Sequence, residues 1–207
     1  MRTAKNIHGL YIISDTTLSR GRTHAEVAIA AIRGGARIIQ LREKALSFEE
    51  ACPIAREVRR IAADAGVTFI VNDSAELALA VDADGVHIGQ GDMPLAEARR
   101  LLGDGRIIGV STHGIEEALK AEDEGADYIG FGPMFKTATK DSAEPKGCEG
   151  LMLIRDKVGI PIVAIGGINA ANAARVMDSG ADAVAVISAV VGADDIEEAA
   201  REIAGLL

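Results

Sequence analysis

Eight short apolar runs, rich in Ile and Val, recur along the chain about every 20–30 residues. Near-continuous apolar runs of this length are typical of strands covered on both faces, as in parallel sheets. The spacing therefore predicts eight strands, which are Leu10–Ser14, Ala36–Leu41, Thr68–Asn72, Gly85–Ile88, Arg106–Val110, Tyr128–Phe131, Pro161–Ile165 and Ala183–Ile187.

Stretches with helical spacing of apolar residues separate many of these strands. Strands that alternate with helices give right-handed crossovers and a parallel sheet, and eight strands close a barrel. We therefore predict a single (β/α)8 TIM barrel domain over residues 1–207. A doubly wound open sheet is the alternative, but the turn after the first strand reads SDTTLSRGRTHAE and lacks G-x-G-x-x-G. The helical stretches are Phe48–Ala65, Leu95–Leu102, Ile115–Glu124, Ala170–Ser179 and Ile196–Leu206.

Charge and cysteine content restrict the class of partner and the compartment. The chain has 22 basic and 31 acidic residues, a net charge of −9, which disfavours nucleic acid and anionic membranes as partners. Cys52 and Cys148 form no short pair of the kind found in zinc or redox motifs, which suits a reducing compartment. The first residues resemble neither a signal peptide nor a membrane span, so we expect a cytoplasmic protein acting on small molecules.

The active site of such a barrel lies at the carboxyl ends of the strands. After the second strand, Gln40, Arg42 and Lys44 alternate, so they can share one face and form a phosphate clamp. The alternative is a solvated strand end in which the cations pair with Glu43.

Two carboxylates follow the third and fourth strands, Asp73 after Asn72 and Asp92 after Gln90. Neighbouring carboxylates without a Cys or His cluster favour a hard cation, here Mg²⁺. Alternatively, Asp73 caps a helix over Ala75–Ala80, and Asp92 is an exposed turn residue.

The fifth strand ends in Ser111, Thr112 and His113. Ser111 can donate to a phosphate, while Thr112 or His113 could cap the following helix. His113 is a candidate general acid or base, although a lone histidine at a barrel rim is more often structural. His87 is out of step with Gln90 and Asp92, so we predict a core or structural role for it.

The segment from Gly132 to Gly150 is the longest irregular stretch, and loops of this length are usually functional. It carries hydroxyls at Thr137 and Thr139 and a cation at Lys140, a set suited to phosphate oxygens. After strands seven and eight, Gly166-Gly167 and Ser188 fall at the recurrent phosphate position of this fold. A tight turn is the alternative for the paired glycines. The two predicted anion regions suggest a transfer reaction in which pyrophosphate departs.

In these segments, and over nearly its whole length, the chain resembles the thiamine phosphate synthase family. The resemblance implies that a hydroxymethylpyrimidine group passes from its pyrophosphate ester to a thiazole phosphate after pyrophosphate has left. The matching segments are Gln40–Lys44, Asn72-Asp73, Ala83–Asp92, Gly109–His113, Asp127–Pro133, Thr137–Lys140 and Ala164–Ile168.

The resemblance also implies residue roles. Gln40, Arg42, Lys44, Asn72, Ser111 and Lys140 would hold the pyrimidine pyrophosphate, and Asp73 and Asp92 would bind Mg²⁺. Thr137, Thr139, Gly167, Ile187 and Ser188 would hold the thiazole phosphate. Among these residues, Arg42, Lys44, Ser111 and Lys140 are the predicted catalytic set.

The chain departs from the family at Ser74, where many members carry a basic residue, and this puts one anion contact in doubt. The segment 141–148 also does not follow the family pattern.

A related thiazole tautomerase using His113 without a pyrophosphate site is the nearest alternative. A non-catalytic phosphate-binding regulator on the same barrel is another. The two carboxylates and the Thr137–Lys140 run favour the synthase. The sequence does not indicate an oligomeric state.

Overall fold

The computed structural model describes residues 7–137 and 144–207. Eight parallel strands pair in chain order, and β8 also pairs with β1, so the sheet closes into a barrel. Tyr11 lies opposite Ile38 on one side of β1 and opposite Ala185 on the other. The predicted TIM barrel is confirmed. Its strands are β1 (Gly9–Ser14), β2 (Ile38–Leu41), β3 (Thr68–Asn72), β4 (Gly85–Ile88), β5 (Ile107–Thr112), β6 (Tyr128–Phe131), β7 (Ile162–Ile165) and β8 (Ala183–Val186).

Helices follow the strands and pack around the barrel. Thr23 and Ser47 begin the first two helices with reciprocal side-chain and backbone bonds to Glu26 and Glu50, the capping-box arrangement. In the described part of the chain the helices are α1 (His24–Arg33), α2 (Phe48–Asp64), α3 (Ala75–Ala80), α4 (Leu95–Leu102), α5 (Ile115–Asp123), α6 (Gly147–Arg155), α7 (Ala173–Asp178), α8 (Ser188–Val191) and α9 (Ile196–Ala204).

The buried apolar residues form two clusters because side chains alternate along each strand. The larger cluster lies between strands and helices and contains Ile39, Phe69 and Ile129. The smaller cluster fills the barrel interior and contains Ile38, Ile70 and Val163. The strands are therefore buried on both faces, which explains their near-continuous apolar sequences.

One helix begins later than its sequence predicts. The apolar spacing indicates a start at Ala170, but α7 begins at Ala173. Asn169 donates its backbone N–H to Asn172 Oδ1, and Asn169 Oδ1 accepts from the backbone N–H of Ala171. These local bonds compete with the helical pattern and produce a turn instead.

Among the described residues, no helix combines the length and apolar character needed to cross a membrane. Cys52 is buried, and both Cys52 and Cys148 are free thiols.

Candidate active site

A pocket opens at the carboxyl ends of the strands, where most of the predicted site residues meet. Tyr11, His87 and Tyr128, which the sequence did not assign to ligand binding, also line it. The predicted residues that line this pocket are Gln40, Arg42, Asn72, Ser111, Thr137, Gly167, Ile187 and Ser188.

Arg42 reaches the pocket with its guanidinium held by an ion pair to Asp15. Burial alone would raise the pKa of Asp15, but hydrogen bonds from Thr17 and the charge of Arg42 hold it below its ordinary value. Asp15 therefore stays ionised and orients Arg42. The solvated pairing of Arg42 with Glu43 is not observed.

Glu43 instead contacts His24, with its Oε2 3.2 Å from His24 Nε2. Burial would raise the pKa of Glu43, but the backbone N–H of Ala45 and the bond to His24 lower it. Lys44 Nζ lies 3.5 Å from Asp73 Oδ2. Lys44 is largely exposed beside the pocket, so it shares an edge with Gln40 and Arg42 without lining the same cavity.

Asp73 and Asp92 lie side by side at the tips of β3 and β4. Partial burial, the neighbouring Asp92 charge and a hydrogen bond between the two side chains raise the pKa of Asp73, with Lys44 opposing them. Asp92 Oδ2 also accepts the backbone N–H of Gly89 at 2.7 Å. The expected proximity of the two carboxylates is therefore present in the structure.

The capping interpretation of Asp73 is wrong. Ser74 caps α3, since its hydroxyl accepts the backbone N–H of Leu77 at 3.1 Å. Asp73 has a φ of 65°, an uncommon left-handed value for a non-glycine residue. A serine after the aspartate thus has a local structural use, and Asp73 is left for another role.

Ser111 on β5 is held from two sides. Gln90 Nε2 donates to its backbone carbonyl at 2.7 Å, and His87 Nε2 lies 2.9 Å from its hydroxyl. The other ring nitrogen of His87 lies 2.9 Å from the Tyr128 hydroxyl. His87 therefore faces the barrel interior, as a structural residue would, but it also borders the pocket.

His113 lies at the same rim, where its Nδ1 is 3.1 Å from Glu117 Oε2. The same carboxylate accepts the backbone N–H of His113 at 2.8 Å. The expected capping of α5 by Thr112 or His113 is wrong, since Gly114 occupies the N-cap and makes no side-chain bond.

On the opposite side of the pocket, Gly166 and Gly167 have φ values of 99° and 69°. A Cβ on Gly166 would lie 2.7 Å from Pro133, and one on Gly167 would lie 2.8 Å from Phe135. Glycine is thus required at both positions, because the turn has positive φ values and because the segment after β6 approaches closely. Thr137 lines the pocket there, whereas Thr139 and Lys140 lie outside the described residues.

The residues missed by sequence reasoning are Tyr11, Tyr128 and Asp15. The signal for the tyrosines was available, since they are the only two in the chain and both lie in predicted interior strands. A buried tyrosine hydroxyl requires a polar partner, which points to a polar site within the barrel. Asp15 carried no comparable signal.

A closed parallel barrel with polar groups gathered at its carboxyl ends defines the chain as a (β/α)8 barrel enzyme. Residues 10–190 match the family described as thiamine monophosphate synthase. The chain belongs to this family, and it is an enzyme of the transferase class.

Full-length relatives agree with this assignment. The thiamine-phosphate synthase of Chloroflexus aurantiacus is 56% identical over 199 residues, covering 96% of this chain and 92% of the relative. That of Methanocella arvoryzae is 53% identical, covering 97% and 95%. The structure of the thiamine phosphate pyrophosphorylase from Pyrococcus furiosus has a TM-score of 0.90 at 42% identity, covering 97% and 96%. These names do not favour the tautomerase alternative.

Proposed function

We propose that the chain synthesises thiamine phosphate by transferring a hydroxymethylpyrimidine group from its pyrophosphate ester to a thiazole phosphate. The observation that carries this proposal is the gathering of two cations and two carboxylates at neighbouring strand tips, beside a pocket that reaches Gly167 and Ser188. The relatives' names agree with it.

The pair Asp73 and Asp92 fits a Mg²⁺ ion. Both offer hard oxygen ligands. Burial and, after it, the neighbouring Asp92 charge raise the pKa of Asp73, and a divalent cation would relieve that repulsion. Bound Mg²⁺ would supply Lewis-acid stabilisation of a pyrophosphate group. That the chain binds Mg²⁺ is part of the proposal, and the suitability of these two carboxylates as ligands supports it.

The reaction is proposed to be dissociative. The bond between the pyrimidine methylene carbon and the pyrophosphate oxygen breaks, and its electron pair leaves with pyrophosphate. The thiazole nitrogen then uses its lone pair to form a bond to the pyrimidine cation. No general base is needed, because the thiazole nitrogen carries no proton when it attacks.

The chain's own residues stabilise the charge that develops on the leaving group. Arg42 is fixed by Asp15 before any ligand arrives, so its donors are preorganised. Lys44 is largely exposed beside Asp73, and its long flexible side chain can turn from Asp73 towards an anion. Gln40, Asn72 and Ser111 complete this side of the pocket.

The thiazole phosphate is proposed to bind on the opposite side, at Thr137, Gly167, Ile187 and Ser188. Gly167 brings backbone close to the pocket, and α8 begins at Ser188. The predicted contacts of Thr139 with this phosphate and of Lys140 with pyrophosphate remain part of the proposal. So do the single domain over 1–207, the small-molecule partners and the cytoplasmic location.

Mixing both phosphorylated substrates with the purified chain, with and without Mg²⁺, tests the proposal. We expect stoichiometric release of pyrophosphate and formation of thiamine phosphate only with the metal. Conversion of the thiazole substrate alone, without Mg²⁺, would contradict the proposal. Binding of thiamine phosphate without any turnover would also contradict it.

A further inference from the structure

A continuous chain of hydrogen bonds crosses the barrel interior beneath the pocket. Its four contacts run from Gln40 Nε2 to the Tyr11 hydroxyl (2.6 Å), to the Tyr128 hydroxyl (3.0 Å), to His87 Nδ1 (2.9 Å), and from His87 Nε2 to the Ser111 hydroxyl (2.9 Å). Five strands contribute its members, so the closed barrel itself assembles it.

The direction of the chain follows from what each group can donate. The Gln40 amide nitrogen can only donate, so Tyr11 accepts there and gives its single hydrogen to Tyr128. Tyr128 then gives its hydrogen to His87 Nδ1. Because burial raises the pKa of both tyrosines, the two hydroxyls keep their hydrogens.

This direction determines the histidine tautomer. If Nδ1 accepts from Tyr128, the ring hydrogen of a neutral His87 lies on Nε2 and is donated to the Ser111 hydroxyl oxygen. Ser111 then directs its own hydrogen elsewhere, and Ser111 borders the pocket. An anionic oxygen can only accept, so it requires a hydroxyl oriented in this way.

Two glycines make room for the rings that take part in this series of hydrogen bonds. A Cβ on Gly109 would lie 2.1 Å from the Tyr128 ring, and a Cβ on Gly130 would lie 2.9 Å from His87 Cε1. The neighbouring strands β5 and β6 thus omit side chains where the rings lie. The imidazole is seated by packing as well as by its hydrogen bonds.

We propose that His87 is a positioning residue: Tyr11 and Tyr128 hold it in the Nε2–H tautomer, and it makes Ser111 a hydrogen-bond donor to an anionic oxygen of the substrate. The inference deepens the proposed function and rests on it for the identity of that oxygen, a pyrophosphate oxygen. Nothing in the sequence alone distinguishes this role from that of a core histidine.

The tautomer can be measured without any activity assay. Long-range ¹H–¹⁵N correlation spectra of the histidine-labelled chain identify the protonated nitrogen, and the His87 signals are those lost in His87→Gln. We expect the proton on Nε2 in the wild-type chain and a mixture of tautomers in Tyr128→Phe. A proton on Nδ1 in the wild-type chain would overturn the inference.

A double-mutant cycle tests whether His87 acts through Ser111. Ser111→Ala should lower kcat/KM for pyrophosphate release roughly 100-fold, as expected for loss of a donor to developing charge. His87→Phe should cost roughly tenfold in the wild-type background. In the Ser111→Ala background the same change should cost less than about twofold. Equal costs in both backgrounds would show a merely structural role and overturn the proposal.

Two matched substitutions sharpen the cycle. His87→Gln can still place an amide N–H near Ser111 and should retain kcat/KM within about threefold, whereas the shorter His87→Asn should behave like His87→Phe. The reverse order would contradict the proposal. His8→Gln, at an exposed histidine, controls for loss of a histidine elsewhere. If the wild-type chain releases no pyrophosphate, the proposed function fails. The measured tautomer still decides whether His87 carries its ring hydrogen on Nε2, facing Ser111.

Discussion

The two ends of the barrel treat their aspartates in opposite ways. At the amino-terminal end, three aspartates directly precede β4, β6 and β8, and each accepts a backbone N–H from the preceding strand at 2.7–2.8 Å. Each also pairs with a helix arginine. The pairs are Asp84 with Arg59, Asp127 with Arg99 and Asp182 with Arg155.

At the carboxyl end, Asp73 faces Asp92, and the pKa of Asp73 is raised by burial and by that neighbour. Lys44 offsets this only in part, from 3.5 Å. One end therefore uses carboxylates to stabilise the fold, whereas the other keeps two of them close together at a cost in stability. This division matches the separation of stability and function between the two ends of such barrels.

Removing a carboxylate from the amino-terminal end should have the largest effect on stability. Asp127→Ala leaves Arg99, whose side chain is only 14% exposed, without its carboxylate partner and removes the acceptor for Ile108 N–H. We expect a loss of about 3 kcal/mol in the free energy of unfolding, measured by urea titration, because breaking a buried pair leaves an uncompensated charge. Asp123→Ala, at an exposed position, is the control and should change it by less than about 0.5 kcal/mol. A loss of turnover with unchanged stability would contradict the comparison.

The reverse pattern is expected at the carboxyl end. Asp92→Asn preserves an oxygen that can accept from Gly89 but removes a charge needed for Mg²⁺. We expect kcat for pyrophosphate release to fall roughly 100-fold, with no loss of thermal stability. Full turnover by this variant would remove Asp92 from the site.

A smaller effect is expected from Asp73→Asn as pH changes. A carboxyl whose folded pKa is raised binds its proton more tightly when folded, so its contribution to stability falls as pH rises from the ordinary aspartate pKa through the raised value. Without metal, the stability difference between Asp73→Asn and the wild type should therefore favour the variant more at pH 7 than at pH 4. Because the carboxyl is partly exposed, we expect a difference of only roughly 1–3 °C in Tm by calorimetry. A relative gain at pH 4 would contradict the sign.

The smallest effect is expected from an exposed pair at the amino-terminal end. Asp82 pairs with Arg106 at 2.7 Å, but its own side chain is 81% exposed. Asp82→Asn retains a residue that tolerates its positive φ of 55°. Tm should change by less than about 1 °C, since exposed ion pairs contribute little. A Tm shift as large as that of Asp127→Ala would show that burial does not determine how much each ion pair contributes to stability.

The sequence predicted most of the strands to within a residue or two, because a strand buried on both faces must be apolar throughout. It also predicted that Asp73 and Asp92 would meet, since neighbouring strand tips are adjacent in a barrel. The capping role of Asp73 was wrong because Ser74, one residue further on, is better placed to accept from Leu77. When two adjacent residues can both cap a helix, the backbone conformation decides which of them does.

By itself, then, the sequence determined the barrel, the rim at which the pocket opens and eight of the residues that line it, because periodicity and strand ends are local properties. Only the tertiary structure decided that Tyr11 and Tyr128, 117 residues apart, share a hydrogen bond, and that His87 reaches Ser111. Such contacts depend on closure of the sheet and on the space left by Gly109 and Gly130, which no local pattern encodes.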